Sequence, residues 1–444
     1  MTECSTSLTL SPLRKKPVLV RNDGGDLTSD AGVLLLRDID REIGLIGRLA
    51  KCVSDPRQQA KVRHTLEVLV GQRMLQMAAG YEDCNDADSL RSDPAFKLAL
   101  GKALSDPPLA SQSTLSRLEN RITPQDCYRL SEALLDSYLA RYQEAPPKRI
   151  ILDFDPTDDE THGQQQFAFY HGHYGSHCYL PLLVFAQREG EGEQELLAAV
   201  LRAGNVHGAK RALALLRRLV KRLRAAFPKC RIEFRGDSAF ALPEIYAGCE
   251  KLRVGYTISL PQNAVLLRQA GPWLDAAREL YRERGETVQV FGEFFYRAGS
   301  WTRPRRVIVK AEWMAEGANP RFVVTSSGAL TPRSRYRFYC QRGDVENRIK
   351  ELKEGLHADR LSCHRFLANQ FRLLLHGAAY VLLQTLRARL AGTPLARAQV
   401  GTLRLRLLKV GAQIRESARR FLVSLPSAYP WFGVWRLLAP ADSG

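Results

Sequence analysis

The sequence predicts a mixed α/β protein. An α+β sheet core carrying a β-rich insertion lies between an N-terminal helical domain and a basic C-terminal helical region. Three observations point there. Short runs rich in β-branched and aromatic residues, RIILDFD at 149–155, CRIEFRG at 230–236 and RFVVTS at 321–326, read as buried strands. Stretches of helical periodicity precede, separate and follow them. The composition, 45% hydrophobic and 25% charged over 444 residues, is that of a folded protein of two or three domains.

The elements follow in order. Residues 1–145 read as helical. Ser29-Asp30 caps a run over 31–50, a second helix covers 62–79 and stops at Gly80, and Ser92-Asp93-Pro94 opens a third. Two more helices fall at 115–121 and 125–142. Ala145-Pro146-Pro147 is a linker. The first part of the core occupies 146–260, with strands at 149–155, 177–187, 197–202, 230–236 and 254–260. It includes a basic amphipathic helix over 207–227 whose apolar stripe is Leu213, Leu216, Val220, Leu223 and Phe227. Residues 261–319 form the insertion, with a helix at 273–283 and antiparallel-type alternation at 286–309. The core resumes over 320–360 with a strand and one long helix, 337–354. Residues 361–444 are helical and basic.

Composition excludes several classes. Lys plus Arg number 65 and Asp plus Glu 47, a net charge of +18, which favours a polyanionic partner, nucleic acid before membrane. The N-terminus has no uninterrupted apolar segment of the secretory type. The longest apolar stretch, 371–386, is broken by Arg372, His376 and Gln384, so no membrane span is expected. The nine cysteines, Cys4 among them, are scattered and form no C-x-x-C pair, as in a reducing cytoplasm. Residues 361–420 hold eleven Lys/Arg and one acid, Glu416, and read as a phosphate-tracking surface.

The chemistry concentrates in 339–353. At 100° per residue Tyr339, Arg342, Glu346 and Lys353 fall within about 60° of one helix face, beside the apolar stripe of Val345, Ile349 and Leu352. That puts a carboxylate among cations at the edge of a buried face. Asp237 follows a buried strand, where α/β sheets present ligand-binding groups; a turn or cap role is the alternative. Asp153 and Asp155 share one face of the strand at 149–155. Asp155, at the strand end, is the favoured ligand and Asp153 the alternative, while Asp158, Asp159 and Glu160 read as a solvated turn. Three such carboxylates make the hard-oxygen site that suits Mg²⁺ or Mn²⁺. Two ions roughly 4 Å apart would support phosphoryl transfer. His171, His173 and His177 are separated by glycines and suit structural or DNA-contacting roles better than zinc. His162 falls near Asp155 in sequence, with a turn role equally open.

The spacing Tyr339-x2-Arg342-x3-Glu346-x6-Lys353 resembles the YREK signature of bacterial insertion-sequence DDE transposases. LDFDPTDDETHGQ from Leu152, YHGHY from Tyr170, YLPL from Tyr179, GDS at Gly236 and LTSDAGV from Leu27 agree with it. The first motif reads Asp-Pro-Thr where relatives commonly carry Asp-Gly-Thr or Asp-Ser-Thr. The resemblance implies an RNase H-like core whose catalytic and metal-holding residues are Asp155, Asp237 and Glu346. It implies a β-rich insertion between the second Asp and the Glu, and DNA contacts by Tyr339, Arg342 and Lys353. Trp301 would stack a flipped base or, alternatively, pack within the insertion. It further implies a cytoplasmic, nucleoid-associated bacterial enzyme. Such an enzyme binds terminal inverted repeats and target DNA as a homodimer in the synaptic complex. A nuclease without strand transfer and a catalytically idle DNA-binding relative are the alternatives.

Overall fold

The computed structural model describes residues 7–190 and 192–439. Cys4 and the rest of the first six residues lie outside them. The chain divides into two compact units, one of residues 1–51, 55–118 and 382–444, the other of 52–54 and 119–381.

The larger unit is built on one mixed sheet. Its strands are β1 (Arg149–Pro156), β2 (Leu182–Arg188), β3 (Gln194–Val200), β4 (Arg231–Gly236), β5 (Gly255–Leu260), β6 (Val288–Tyr296), β7 (Arg305–Met314) and β8 (Arg321–Thr325). The spatial order is β6-β7-β8-β5-β4-β1-β2-β3, with the short strand Gly317–Ala318 beside β7. Strand β4 runs parallel to β1 and to β5; the remaining neighbours are antiparallel. Apolar residues occupy both faces of the central strands, so those strands read as near-continuous hydrophobic runs in the sequence. Phe154, Phe234 and Phe240 meet beneath the carboxylate end of β1 and β4, with ring centroids 4.9 to 6.2 Å apart.

The insertion is not a separate layer. Its strands β6 and β7 continue the core sheet through β8. Helix α4 (Gly271–Arg284) packs on them, after α1 (Pro124–Arg141), α2 (Ala212–Ala226) and α3 (Pro243–Lys251) earlier in the chain. Gly292 in β6 makes that packing possible: a Cβ there would lie 2.1 Å from the ring of Trp273. The helix expected over 337–354 is interrupted. It comprises α5 (Pro332–Cys340), a turn at 341–342, α6 (Gly343–Lys350) and a π-helical turn, Glu351–Gly355. The basic helix starts later than expected, at Ala212. Arg218 lies 3.2 Å from Glu132 and Arg222 is paired with Glu132 and Asp136, so both serve helix packing.

The smaller unit mixes helices with strands that periodicity did not reveal. The helix expected over 31–50 breaks at Gly44, whose φ of 63° ends Val33–Ile43 and starts Leu45–Ala50. Asp93 caps Pro94–Ala99 as expected. An exposed hairpin, Leu8–Leu13 with Lys16–Val20, and a three-stranded sheet of Leu27–Thr28, Ala412–Glu416 and Phe421–Ser424 replace helical expectations. The eight described cysteines are all free. One helix, Phe366–Ala388, is long and apolar enough to cross a membrane, and 83% of its apolar window is buried inside the protein.

Candidate active site

Strand register brings the first two carboxylates together. Gly236 of β4 pairs with Phe154 of β1, so Asp237, one residue on, falls abreast of Asp155 at the closing ends of two parallel strands. Asp155 is 6% exposed. The Arg342 Nη2 donates to its Oδ2 at 2.8 Å, and Nη1 of the same guanidinium donates to Oε1 of Glu346 at 3.2 Å. Arg342 lies in the turn between α5 and α6, which aims its side chain back at the sheet. The Asp237 side chain accepts the Ala239 N–H at 2.9 Å and caps the short turn Ser238–Phe240. The cap reading of this residue is therefore the one its hydrogen bond shows.

The electrostatics mark the same cluster. Burial, with added repulsion from Asp237 and Glu346, pushes the Asp155 carboxyl up to about 7 against the pull of Arg342. Burial works against the charge of Arg342, but Asp155, Asp237, Tyr339 and Glu346 outweigh it and hold the guanidinium more firmly protonated. Burial also raises the Tyr339 phenol, which is hydrogen-bonded to the Ser259 side chain. Glu346 is the open member of the set, with a side chain 68% exposed. Lys353 sits on the π-helical turn. Its Nζ donates to the Asp158 carbonyl at 2.6 Å and to Oδ1 at 3.3 Å. Glu351 anchors that turn from inside, accepting from Tyr380 at 2.7 Å and Arg348 at 2.8 Å. A π turn widens the helix by one residue and recurs at functional sites.

Several expectations need correction. Asp153 is not a free ligand. It is 0% exposed, and both its oxygens are taken by Arg235, each at 2.7 Å, with Gln194 adding a third bond at 3.0 Å. Trp301 is not presented for base stacking. It is 6% exposed, packs edge-on against Tyr246 and Tyr296, and lies under the Arg305 guanidinium. The turn after β1 is not fully solvated: Asp159 is buried, which drives its carboxyl well above the ordinary range. His171 and His173 pack around Tyr174, and His162 is exposed. Among the described residues no three His, Cys, Asp or Glu side chains converge closely enough to hold a metal ion as they stand.

Tyr174 borders the site and was not singled out by spacing. Burial, then Asp158, Asp155 and Asp237, push its phenol up to about 12. Its only sequence signal is membership of the YHGHY segment. Arg235 was missed as well. Its role emerges only through an Asp 82 residues away.

Asp155 and Asp237 thus lie at the closing ends of two parallel strands, with Arg342 holding Asp155 and Glu346. The chain is a member of the transposase DDE domain group 1 family, whose model matches residues 10–439. No curated protein matches it. The slightly similar solved structures include two Mos1 complexes. The Mos1 mariner paired end complex with Mn is 14% identical over 45% of this chain and 62% of that one, with a TM-score of 0.17. The Mos1 strand transfer complex is 12% identical over 51% and 66%, with a TM-score of 0.15. The chain thus spans less than two thirds of either, and likenesses this slight carry no weight for fold or activity.

Proposed function

We propose that the chain is a metal-dependent transposase that cleaves DNA at the ends of an insertion sequence and transfers the freed 3′ ends to target DNA. The observation that carries this reading is the Arg342 bridge from Asp155 to Glu346, with Asp237 abreast of Asp155 by the register of β1 and β4. The topology of β1 to β5 supports an RNase H-like core, and the Tyr339, Arg342, Glu346 and Lys353 spacing supports the YREK group of bacterial elements. The donor set fits Mg²⁺ or Mn²⁺: three carboxylates, with no thiol or imidazole. Arg342 already bridges Asp155 and Glu346 as a cation, so positive charge is accommodated between them. One or two divalent ions bound by Asp155, Asp237 and Glu346 would supply the Lewis acidity that activates a water or 3′-hydroxyl and stabilises the leaving oxygen.

The chain's own residues do the rest. Asp155 must give up the proton that its burial favours before it can serve as an anionic ligand. Arg342 exchanges its carboxylates for the phosphate at the cleaved bond, where a guanidinium fork is well matched. The Tyr339 hydroxyl donates one further hydrogen bond to phosphate. Lys353 spends two donors on Asp158, which fixes the segment after Asp155, and keeps a third for the DNA backbone. The N-terminal helical region and exposed basic residues would bind the terminal inverted repeats. Two ends per element favour a homodimer at synapsis, in the bacterial cytoplasm on the nucleoid.

The test is cleavage of end-containing duplex in Mg²⁺ by the wild-type chain and by Asp237→Asn. The variant is expected to lose at least a hundredfold in rate, while end binding in EDTA is retained. Robust cleavage by the variant would overturn the site. Cleavage without joining of 3′ ends to target DNA would leave a nuclease in place of a transposase.

A further inference from the structure

The parallel strands that close on Asp155 and Asp237 open, at their other ends, on a cavity of about 840 Å³. Arg149 of β1 and Arg231 of β4 are register partners at its wall. Six residue steps of strand separate Arg149 from Asp155, roughly 20 Å, so the cavity is distinct from the carboxylate site. Its volume is that of a small-molecule site.

The lining is both basic and apolar. Lys148, Arg149, Lys229, Arg231 and Arg335 face two carboxylates, Glu189 and Glu233. Those two acids are already engaged. Glu233 accepts from Arg149 at 2.7 Å and from Arg335 at 3.1 Å, and Glu189 accepts from Arg149 at 3.3 Å. Lys148, Lys229 and Arg231 are exposed and have no acidic partner among the described residues. Arg335 is 1% exposed, yet its Nε is buried with no hydrogen-bond partner. Pro146, Pro228 and Leu330 supply an exposed apolar wall.

We propose that this cavity binds a nucleotide. Its phosphate rests on Lys148, Lys229 and Arg231, and its base lies against the wall of Pro146, Pro228 and Leu330. The nucleotide can come from two sources, a free nucleoside phosphate or a nucleotide within a DNA strand. The two share a phosphate ester joined to a flat ring. Simple charge would hold inorganic phosphate as well as a nucleotide. The apolar wall gives the nucleotide an advantage that phosphate alone lacks.

The experiment is calorimetric titration of the full chain in EDTA, which leaves the carboxylate site without divalent ions. The titrants are dAMP, a short single-stranded DNA and inorganic phosphate. The nucleotide-bearing probes are expected to bind at least tenfold more tightly than phosphate. The double variant Lys229→Glu/Arg231→Glu should lose at least tenfold for them, and Ala329→Trp, which fills the cavity without changing its charge, should lose a similar factor. Tighter binding of dAMP assigns a free nucleotide, and tighter binding of the oligonucleotide assigns a DNA strand. Equal affinity for phosphate and nucleotide, or unchanged affinity in both variants, would overturn the proposal.

Discussion

Asp155 and Asp153 lie two residues apart on one strand and do opposite things. Asp155 is buried against an Arg that also holds Glu346, and its carboxyl rises from 3.8 to about 7. Between those values the folded chain holds a proton that the unfolded chain has released, so stability falls as pH rises through that window. The contribution is fully present below about pH 4 and gone above about pH 7. Asp155→Asn should flatten that fall. Urea melts at pH 5 and pH 8 in EDTA check it: the wild type should lose a few kcal/mol more than the variant. Identical losses would show that Asp155 titrates normally. The sequence could mark both aspartates, because strand periodicity puts them on one face. It could not separate them, because the difference is Arg235, a residue 82 positions away. Trp301 was ambiguous for a related reason. A Trp in a hairpin offers the same signal whether its ring meets solvent or, as here, Tyr246 from a distant helix.

At the scale of elements, Arg235 ties three pieces of structure together. From β4 it grips Asp153 on β1, donates to Gln187 on β2 at 2.8 Å, and donates to the Phe338 carbonyl of α5 at 2.8 Å. Arg342, which reaches Asp155, lies two residues beyond the end of that helix. Arg235→Met leaves Asp153 buried and uncompensated and should cost about 3–5 kcal/mol. The double change Asp153→Leu/Arg235→Met should recover a large part of that stability. Chemical denaturation of the three variants measures it; no recovery in the double variant would assign the cost to the Phe338 and Gln187 bonds instead. The helix around Glu346 was legible in type but not in continuity. Periodicity assumes constant pitch, and the turn at 341–342 and the π turn at Glu351–Gly355 both break it. The strands at 412–416 and 421–424 escaped for a different reason. They are short, and the pairing of 412–416 with Leu27–Thr28 is set by residues nearly four hundred positions away.

Over the whole molecule, the net charge of +18 is real but less available than its density along the chain suggests. Within 361–420, Arg372 and Arg387 are buried, Lys409 is paired with Asp30 at 2.7 Å, and Arg389 is paired with Glu42. Arg365, Arg397, Arg406, Arg415, Arg419 and Arg420 remain exposed. If those positions track phosphates, DNA affinity should fall steeply with salt. Replacing Arg415, Arg419 and Arg420 by Gln should reduce the slope of log K against log salt by up to about 0.9 for each phosphate left without its arginine. Binding isotherms from about 50 to 200 mM salt, a range over which such proteins weaken roughly a thousandfold or more, would detect it. An unchanged slope would remove this segment from the DNA surface.

The continuity of β5 with β8, β7 and β6 has a consequence for how this architecture can be altered. Strand β5 is covered along its outer side by β8, and β8 in turn by β7. Cutting out 261–319 as a cassette would remove β6 and β7 and strip one whole side of β8 of its backbone partners. The remaining sheet would end in a flat, apolar row of unpaired amides and carbonyls built from Phe322, Val323 and Val324, the kind of border along which sheets of separate molecules zip together. Residues 261–319 are therefore a hem on the central sheet, and trimming them would turn a finished border into an adhesive one.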